Sequence, residues 1–163
     1  MDGSPTTQRL HLAQVNVSRL LAPLSSEQLA GFVAASGPIE VAGAGARGFV
    51  WRTFVEVPPG ARNRPFDWDV GDSAGLVVNL SVWESLEALD AFVHSSPHRE
   101  ALRQRRSWFV RHPEASSALW WVPAGQHQRL VEAEQRLRHL RMFGPTPHAF
   151  TAANPYPPDS SQV

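Results

Sequence analysis

Residues 76–85 read LVVNLSVWES, and no other stretch constrains the fold as much. Its branched and aromatic residues suit the middle of a buried strand, whereas Asn79 and Ser81 do not. Strand side chains alternate, so Asn79, Ser81 and Trp83 share one face, and Val78, Leu80 and Val82 the other. Residues 10–17, LHLAQVNV, alternate likewise: Leu10, Leu12, Gln14 and Asn16 oppose His11, Ala13, Val15 and Val17. Each of these strands thus has an aliphatic face and a face that mixes polar groups with large apolar ones.

The remaining elements follow from periodicity and breakers. After Pro23, SSEQLAGFVAA predicts a helix with Leu29, Phe32 and Val33 as its stripe. Ser25 and Gln28 fit a capping box there. The stretch SGPIEVAGAGARG ends that helix or loosens its final part. GFVWRTFVEV at 48–57 is a second strand, and the breaker-rich segment 58–75 a long loop, either a lid or an extended hairpin. A helix begins at Ser85, and a second has Ser96 as its N-cap and Pro97 in its first turn. SSALWWV at 116–122 is the fourth strand, and a helix over 127–143 stops at Gly144 and Pro145.

The order is β-α-β-β-α-β with an added C-terminal helix, an α+β, ferredoxin-like split βαβ arrangement. We expect a loose tail at 1–8, a single domain at 9–150 and a Pro-rich tail at 151–163. Strands one and three are expected as central, parallel neighbours, which sets Gln14 and Asn16 beside Asn79 and Ser81. A sheet face not covered by its own helices meets solvent or a partner. Leu10, Leu12 and Trp83 argue against solvent, so we expect a homodimer in which two polar faces meet. The opposite assignment, with the polar face under the helices, stays open.

Composition excludes several chemistries. The chain has no lysine, hence no lysine Schiff base, and no cysteine, hence no disulfide, thiolate nucleophile or thiolate metal site. With 15 arginines against 15 acidic residues, nothing draws it toward nucleic acid. MDGSPTTQR lacks a basic-then-apolar signal pattern and no apolar run is long enough for a membrane span. The expected compartment is the bacterial cytoplasm. No two-histidine metal motif is present, so no metal site is expected.

The strings HLAQVNV, GFVWR, VVNLSVWESLEAL, WWVPAG and HLRMFGPTPHAF resemble an uncharacterised bacterial family of the dimeric α+β barrel superfamily. The resemblance spans residues 10–151. Relatives at superfamily level include antibiotic-biosynthesis monooxygenases, polyketide cyclases, muconolactone isomerases and haem-binding chlorite dismutases. It therefore implies the barrel fold and the dimer more strongly than any one reaction. The chain departs from the family pattern in two places. VRHPEASSALWW stands where a Glu-Pro-His-type stretch is usual, and Gln126 precedes His127 where a histidine directly follows PAG.

Gln14, Asn16, Asn79 and Ser81 are the most informative set. A buried amide or hydroxyl left unpaired costs ~1–3 kcal/mol, so they form either a structural network or a ligand-orienting wall. Trp51, Trp83, Trp108 and Trp120 offer aromatic walls to a flat, largely apolar molecule. Arg52 and Arg105 could anchor an anionic group. The remaining arginines of REALRQRRSWFVRH read as a solvated helix face. His98, in a helix's first turn, is the acid-base candidate, since a helix N-terminus favours neutral imidazole.

The expected activity is that of a cofactor-independent small-molecule enzyme of specialised metabolism. It would perform isomerase-, cyclase- or lyase-type proton transfer on a largely apolar carbonyl compound. Asn79 and His98 would be catalytic; Gln14, Asn16, Trp51, Arg52, Ser81, Trp83, Arg105, Trp108 and Trp120 would bind substrate. The alternatives are a cofactor-free monooxygenase, a haem protein and a non-catalytic small-molecule binding protein.

Overall fold

The structure, a computed structural model, describes residues 7–159. Residues 1–6 of the expected N-terminal tail and the last four of the C-terminal one lie outside the described residues. Four strands, β1 (Leu10–Arg19), β2 (Phe49–Val57), β3 (Leu76–Trp83) and β4 (Ser117–Pro123), form one sheet in the order β2-β3-β1-β4. The fold is the α+β, ferredoxin-like one. Every neighbouring pair is antiparallel, including β1 with β3. This corrects the parallel pairing expected from the sequence. In a split βαβ unit the crossover strand is parallel to its partner one strand away, and the strand between them runs the other way.

The helices are α1 (Ala30–Ala44), α2 (Leu86–Val93), α3 (Ser96–Trp108) and α4 (Leu130–Phe143). A short 3-10 turn, Glu27–Leu29, leads into α1. The expected capping box does not form. Ser26 precedes the turn and donates to the Pro23 carbonyl, while Gln28 reaches the Ser107 carbonyl. Helix α1 also runs through Gly37 and Pro38 to Ala44, beyond the stop that the glycines suggested. At α2, Ser85 accepts from the Ala88 amide at 3.1 Å. Ser95, one residue before the expected cap, precedes α3, with Pro97 in the first turn.

Helices of the chain lie on both sheet faces. Ala13, Val15, Val17, Val78, Leu80 and Val82 pack with Ala133, Leu137 and Leu140 of α4 and with Phe66 and Val70 of the 58–75 segment. Each fully buried valine or leucine side chain there contributes about 1.5–3 kcal/mol. The other face meets the remaining helices at its two ends. Leu12 and Trp83 pack with Leu89 and Phe92 of α2, and Leu20 and Val77 with Leu29 and Trp108. Helices α1–α3 therefore lie on the polar side of the sheet, over its two ends, and leave Asn16 and Phe54 exposed between them. This selects the assignment left open by the sequence, with helices on the polar side. Leu89 and Phe92 help bury Leu12 and Trp83, and Leu29 and Trp108 help bury Val77.

The 58–75 segment is core rather than a lid. Phe66 is fully buried and holds a left-handed backbone at φ 69°. Glu134 of α4 accepts from the Phe66 amide at 2.5 Å and from Trp68 Nε1 at 2.8 Å. Asp69, 2 % exposed, accepts from Arg19 of β1 and Arg141 of α4, each at 2.8 Å, and from His112 at 3.3 Å. Burial raises the Asp69 pKa, but hydrogen bonds and charge from Arg141, then Arg19, outweigh it and hold the carboxyl below its ordinary value. Among the described residues no helix is long and apolar enough to cross a membrane.

Candidate functional site

The antiparallel register sets the polar residues directly opposite one another. One row across the sheet runs Arg52, Ser81, Gln14, Leu119; the next runs Phe54, Asn79, Asn16, Ser117. The juxtaposition of Gln14 and Asn16 with Ser81 and Asn79 is as expected, although the strands run oppositely. Register preserves the face because opposed residues of an antiparallel pair point the same way.

Asn79 is held by Arg52, whose Nε donates to Oδ1 at 2.5 Å. A guanidinium has donors only, so the amide must present its oxygen to it, and the flip of Asn79 is fixed. Nδ2 is then directed elsewhere and has no partner among the described residues. Arg52 also lies 4.0 Å from Glu40 of α1, and its guanidinium sits over the Phe54 ring at 5.9 Å. Phe54 is 44 % exposed, a large apolar surface beside a charged and an amide donor.

Ser81 is differently occupied. Its Oγ accepts from Trp83 Nε1 at 3.0 Å and donates to Gln14 Oε1 at 3.5 Å, and Gln14 Nε2 donates to Ser117 Oγ at 3.3 Å. Ser81 and Gln14 thus form the structural network that the sequence reading weighed against a ligand wall, while Asn79 keeps a free donor. Trp83 closes this end of the face, edge-on to Phe49 at 5.5 Å and stacked on Phe92 at 5.1 Å. Beside Gln14 and Ser117 lies a cleft of ≈ 290 Å³, bounded also by Leu119, Thr151 and Ala152.

His98 lies behind this wall. Its ring is 5.3 Å from Phe92, edge-on, and its Nδ1 is buried without a well-formed hydrogen bond. Burial lowers its pKa, the Val93 carbonyl offsets part of that, and nearby His94 lowers it further. The imidazole is therefore neutral at pH 7.

Of the other candidates, all but Asn16 are placed apart from Asn79. Trp51 and Trp120 belong to the aliphatic face, where Trp51 meets His127 edge-on at 5.1 Å and Trp120 donates to the buried Gln128 at 3.4 Å. Trp108 packs on Phe32 at 5.6 Å, at the far end of the polar face. Arg105 is on the exposed side of α3. Asn16 is exposed, directly across from Asn79. Sequence reasoning passed over Phe54 and Ser117. Strand parity carries both: Phe54 shares a face with Arg52, and Ser117 with Leu119 and Trp121. Among the described residues no group of three or more acidic or histidine side chains is placed to hold a metal ion.

No curated protein matches the chain. Among solved structures it is similar to SnoaB, a cofactor-independent oxygenase from Streptomyces nogalater, at 18% identity over 72% of this chain and 95% of that one, with a TM-score of 0.45. It is similar to Rv0793 from Mycobacterium tuberculosis at 13% identity over 73% and 99%, TM-score 0.48. A conserved protein from Methanosarcina mazei Go1 shares 10% identity over 71% and 93%, TM-score 0.48. Over residues 11–163 the sequence matches the pattern of one family, and the chain belongs to it: the family described as Domain of unknown function (DUF3291).

Proposed function

We propose that this protein is a small-molecule enzyme that polarises the carbonyl of a largely apolar substrate and stabilises the enolate that forms on proton loss. One observation carries the reading. Arg52 fixes the Asn79 amide, so Nδ2 stands as an oriented, unpartnered donor between Phe54 and the tryptophan end of the sheet face. A pre-set donor is worth most when it meets charge that develops during the reaction, because no reorientation is needed at that moment. As the proton leaves the carbon next to the carbonyl, the electron pair moves onto the oxygen, where Asn79 Nδ2 and the Arg52 guanidinium meet it. The proton passes to solvent at the exposed side of Phe54, since His98, the acid-base candidate of the sequence, packs behind Phe92 and Trp83. Isomerisation, cyclisation and elimination all share this step.

The test uses 2-tetralone, a compact and mostly apolar ketone, in D2O, with deuterium uptake at its α-carbons followed by NMR. Wild type is expected to accelerate uptake, and Asn79→Ala to slow the accelerated rate by about 10²-fold, as for loss of an oxyanion donor. Arg52→Gln frees the amide to flip and is expected to cost less. Equal rates for wild type and Asn79→Ala, or no acceleration by wild type, refute the reading. Consumption of dissolved oxygen alongside turnover would instead identify an oxygenase.

A further inference from the structure

The hydrogen bonds on the polar face run in one direction only. The Trp83 indole can only donate, so Ser81 accepts from it and sends its own hydrogen on to Gln14 Oε1. That fixes the Gln14 amide with Nε2 toward Ser117 Oγ, which accepts at 3.3 Å. The Ser117 hydroxyl hydrogen is then free to point onward, and it has no partner among the described residues. Ser117 and Gln14 line the ≈ 290 Å³ cleft together with Leu119 and Thr151. At the other side of the sheet the Arg52 to Asn79 bond likewise starts at a donor-only group and leaves a donor at its end. Two members of the row Phe54, Asn79, Asn16, Ser117, namely Asn79 and Ser117, therefore offer donors.

We propose that the cleft at Ser117 is a second binding subsite, for an acceptor oxygen at the far end of the ligand whose carbonyl meets Asn79. Asn79 is on β3 and Ser117 on β4, with β1 between them. Two strand spacings separate them, about 10 Å. The ligand class is thus an elongated, rigid, mostly apolar molecule with a carbonyl at one end and a carbonyl or phenolic oxygen about 10 Å away. A compact molecule satisfies one donor and leaves the other unused. The inference rests on the reading of Asn79 as the carbonyl-binding group.

Titration calorimetry with two probes tests it: 4'-hydroxybiphenyl-4-carbaldehyde, with oxygens at both ends, and biphenyl-4-carbaldehyde, with one. The chain has no lysine side chain to capture the aldehyde. Wild type is expected to bind the two-ended probe more tightly. Ser117→Ala should weaken that probe roughly five- to tenfold, the worth of one hydrogen bond, and leave the one-ended probe unchanged. Ser117→Thr, which keeps the hydroxyl, should restore binding to within about twofold. Asn79→Ala should weaken both. Equal binding of the two probes by wild type, no binding of the two-ended probe, or an equal effect of Ser117→Ala on both overturns the subsite. A selective Ser117→Ala effect with Asn79→Ala silent upholds the subsite and overturns the reading of Asn79.

Discussion

Replacing Asp69 should destabilise the whole domain, although it lies in a segment that reads as a loop. Its carboxylate accepts from Arg19, Arg141 and His112, and Arg19 also donates from Nε to the Asp69 backbone carbonyl at 2.8 Å. Removing one member of a buried ion cluster costs about 3–5 kcal/mol, chiefly because its partners stay buried without their counter-charge. The lower end applies here. Arg141 keeps the Ala115 carbonyl and Glu114, and Arg19 keeps its backbone acceptor. A loss of about 3 kcal/mol corresponds to a Tm lower by about 6–12 °C in a chain of this size. Urea unfolding of Asp69→Asn at pH 7 should show it with an unchanged m value. Glu114→Gln serves as the control: that side chain is 60% exposed and should cost under about 1 kcal/mol. The folded-state pKa of Asp69 is depressed, so its contribution is fully present above the ordinary value of 3.8 and is lost as pH falls through the folded value. The difference between wild type and Asp69→Asn should therefore shrink below pH 3.8. A loss under about 1 kcal/mol at pH 7, or a difference indifferent to acid, refutes the assignment of Asp69 as the charge that holds this segment in the core.

His98 and His148 both have lowered pKa values, so in the window below the ordinary 6.5 the unfolded chain binds protons that the folded one does not. Stability should fall as pH drops from 6.5 toward the folded values, and His98→Gln should flatten that slope without abolishing it, as chemical denaturation across this range will show. Gly48 sits at φ 83°, and a Cβ there would lie 2.5 Å from the Ala88 Cβ. Gly48→Ala should cost about 2–4 kcal/mol, against about 1 kcal/mol for Gly60→Ala, which has similar φ and open space, measured by thermal or urea unfolding.

The fold was legible because its information is local. Alternation in LHLAQVNV and LVVNLSVWES, and the Ser85 cap, each depend on neighbours a few residues away, and they survive in the structure. The direction of β1 against β3 is not local. It follows from the crossover rule of the βαβ unit, and the expectation of a parallel pair missed it. The end of α1 was misread for a different reason. Gly and Pro lower helix propensity, yet Gly43 packs against Phe92, where a Cβ would lie 3.3 Å from the ring. Tertiary packing there outweighs the local preference.

The site divides along the same line. Parity places Asn79, Ser81, Gln14 and Asn16 on one face, and register then pairs them; both steps are readable from sequence once two strands are neighbours. What parity cannot supply is which polar group is already spoken for. Ser81 and Asn79 look alike in LVVNLSVWES, but Trp83, two residues on, supplies the indole that occupies Ser81, while Arg52, 27 residues earlier, occupies only the oxygen of Asn79. The difference lies in donor counting: an indole has one hydrogen and a hydroxyl passes it on, whereas a primary amide accepts at one atom and donates at another. The charge chemistry of Asp69 was hidden for a related reason. Arg19, His112 and Arg141 are scattered over the chain, and their convergence on one carboxylate depends on α4 lying across the aliphatic face, which no short motif encodes. A reading that pairs each polar strand residue with donor-only neighbours on adjacent strands would separate Asn79 from Ser81, and it is that separation on which the proposed chemistry rests.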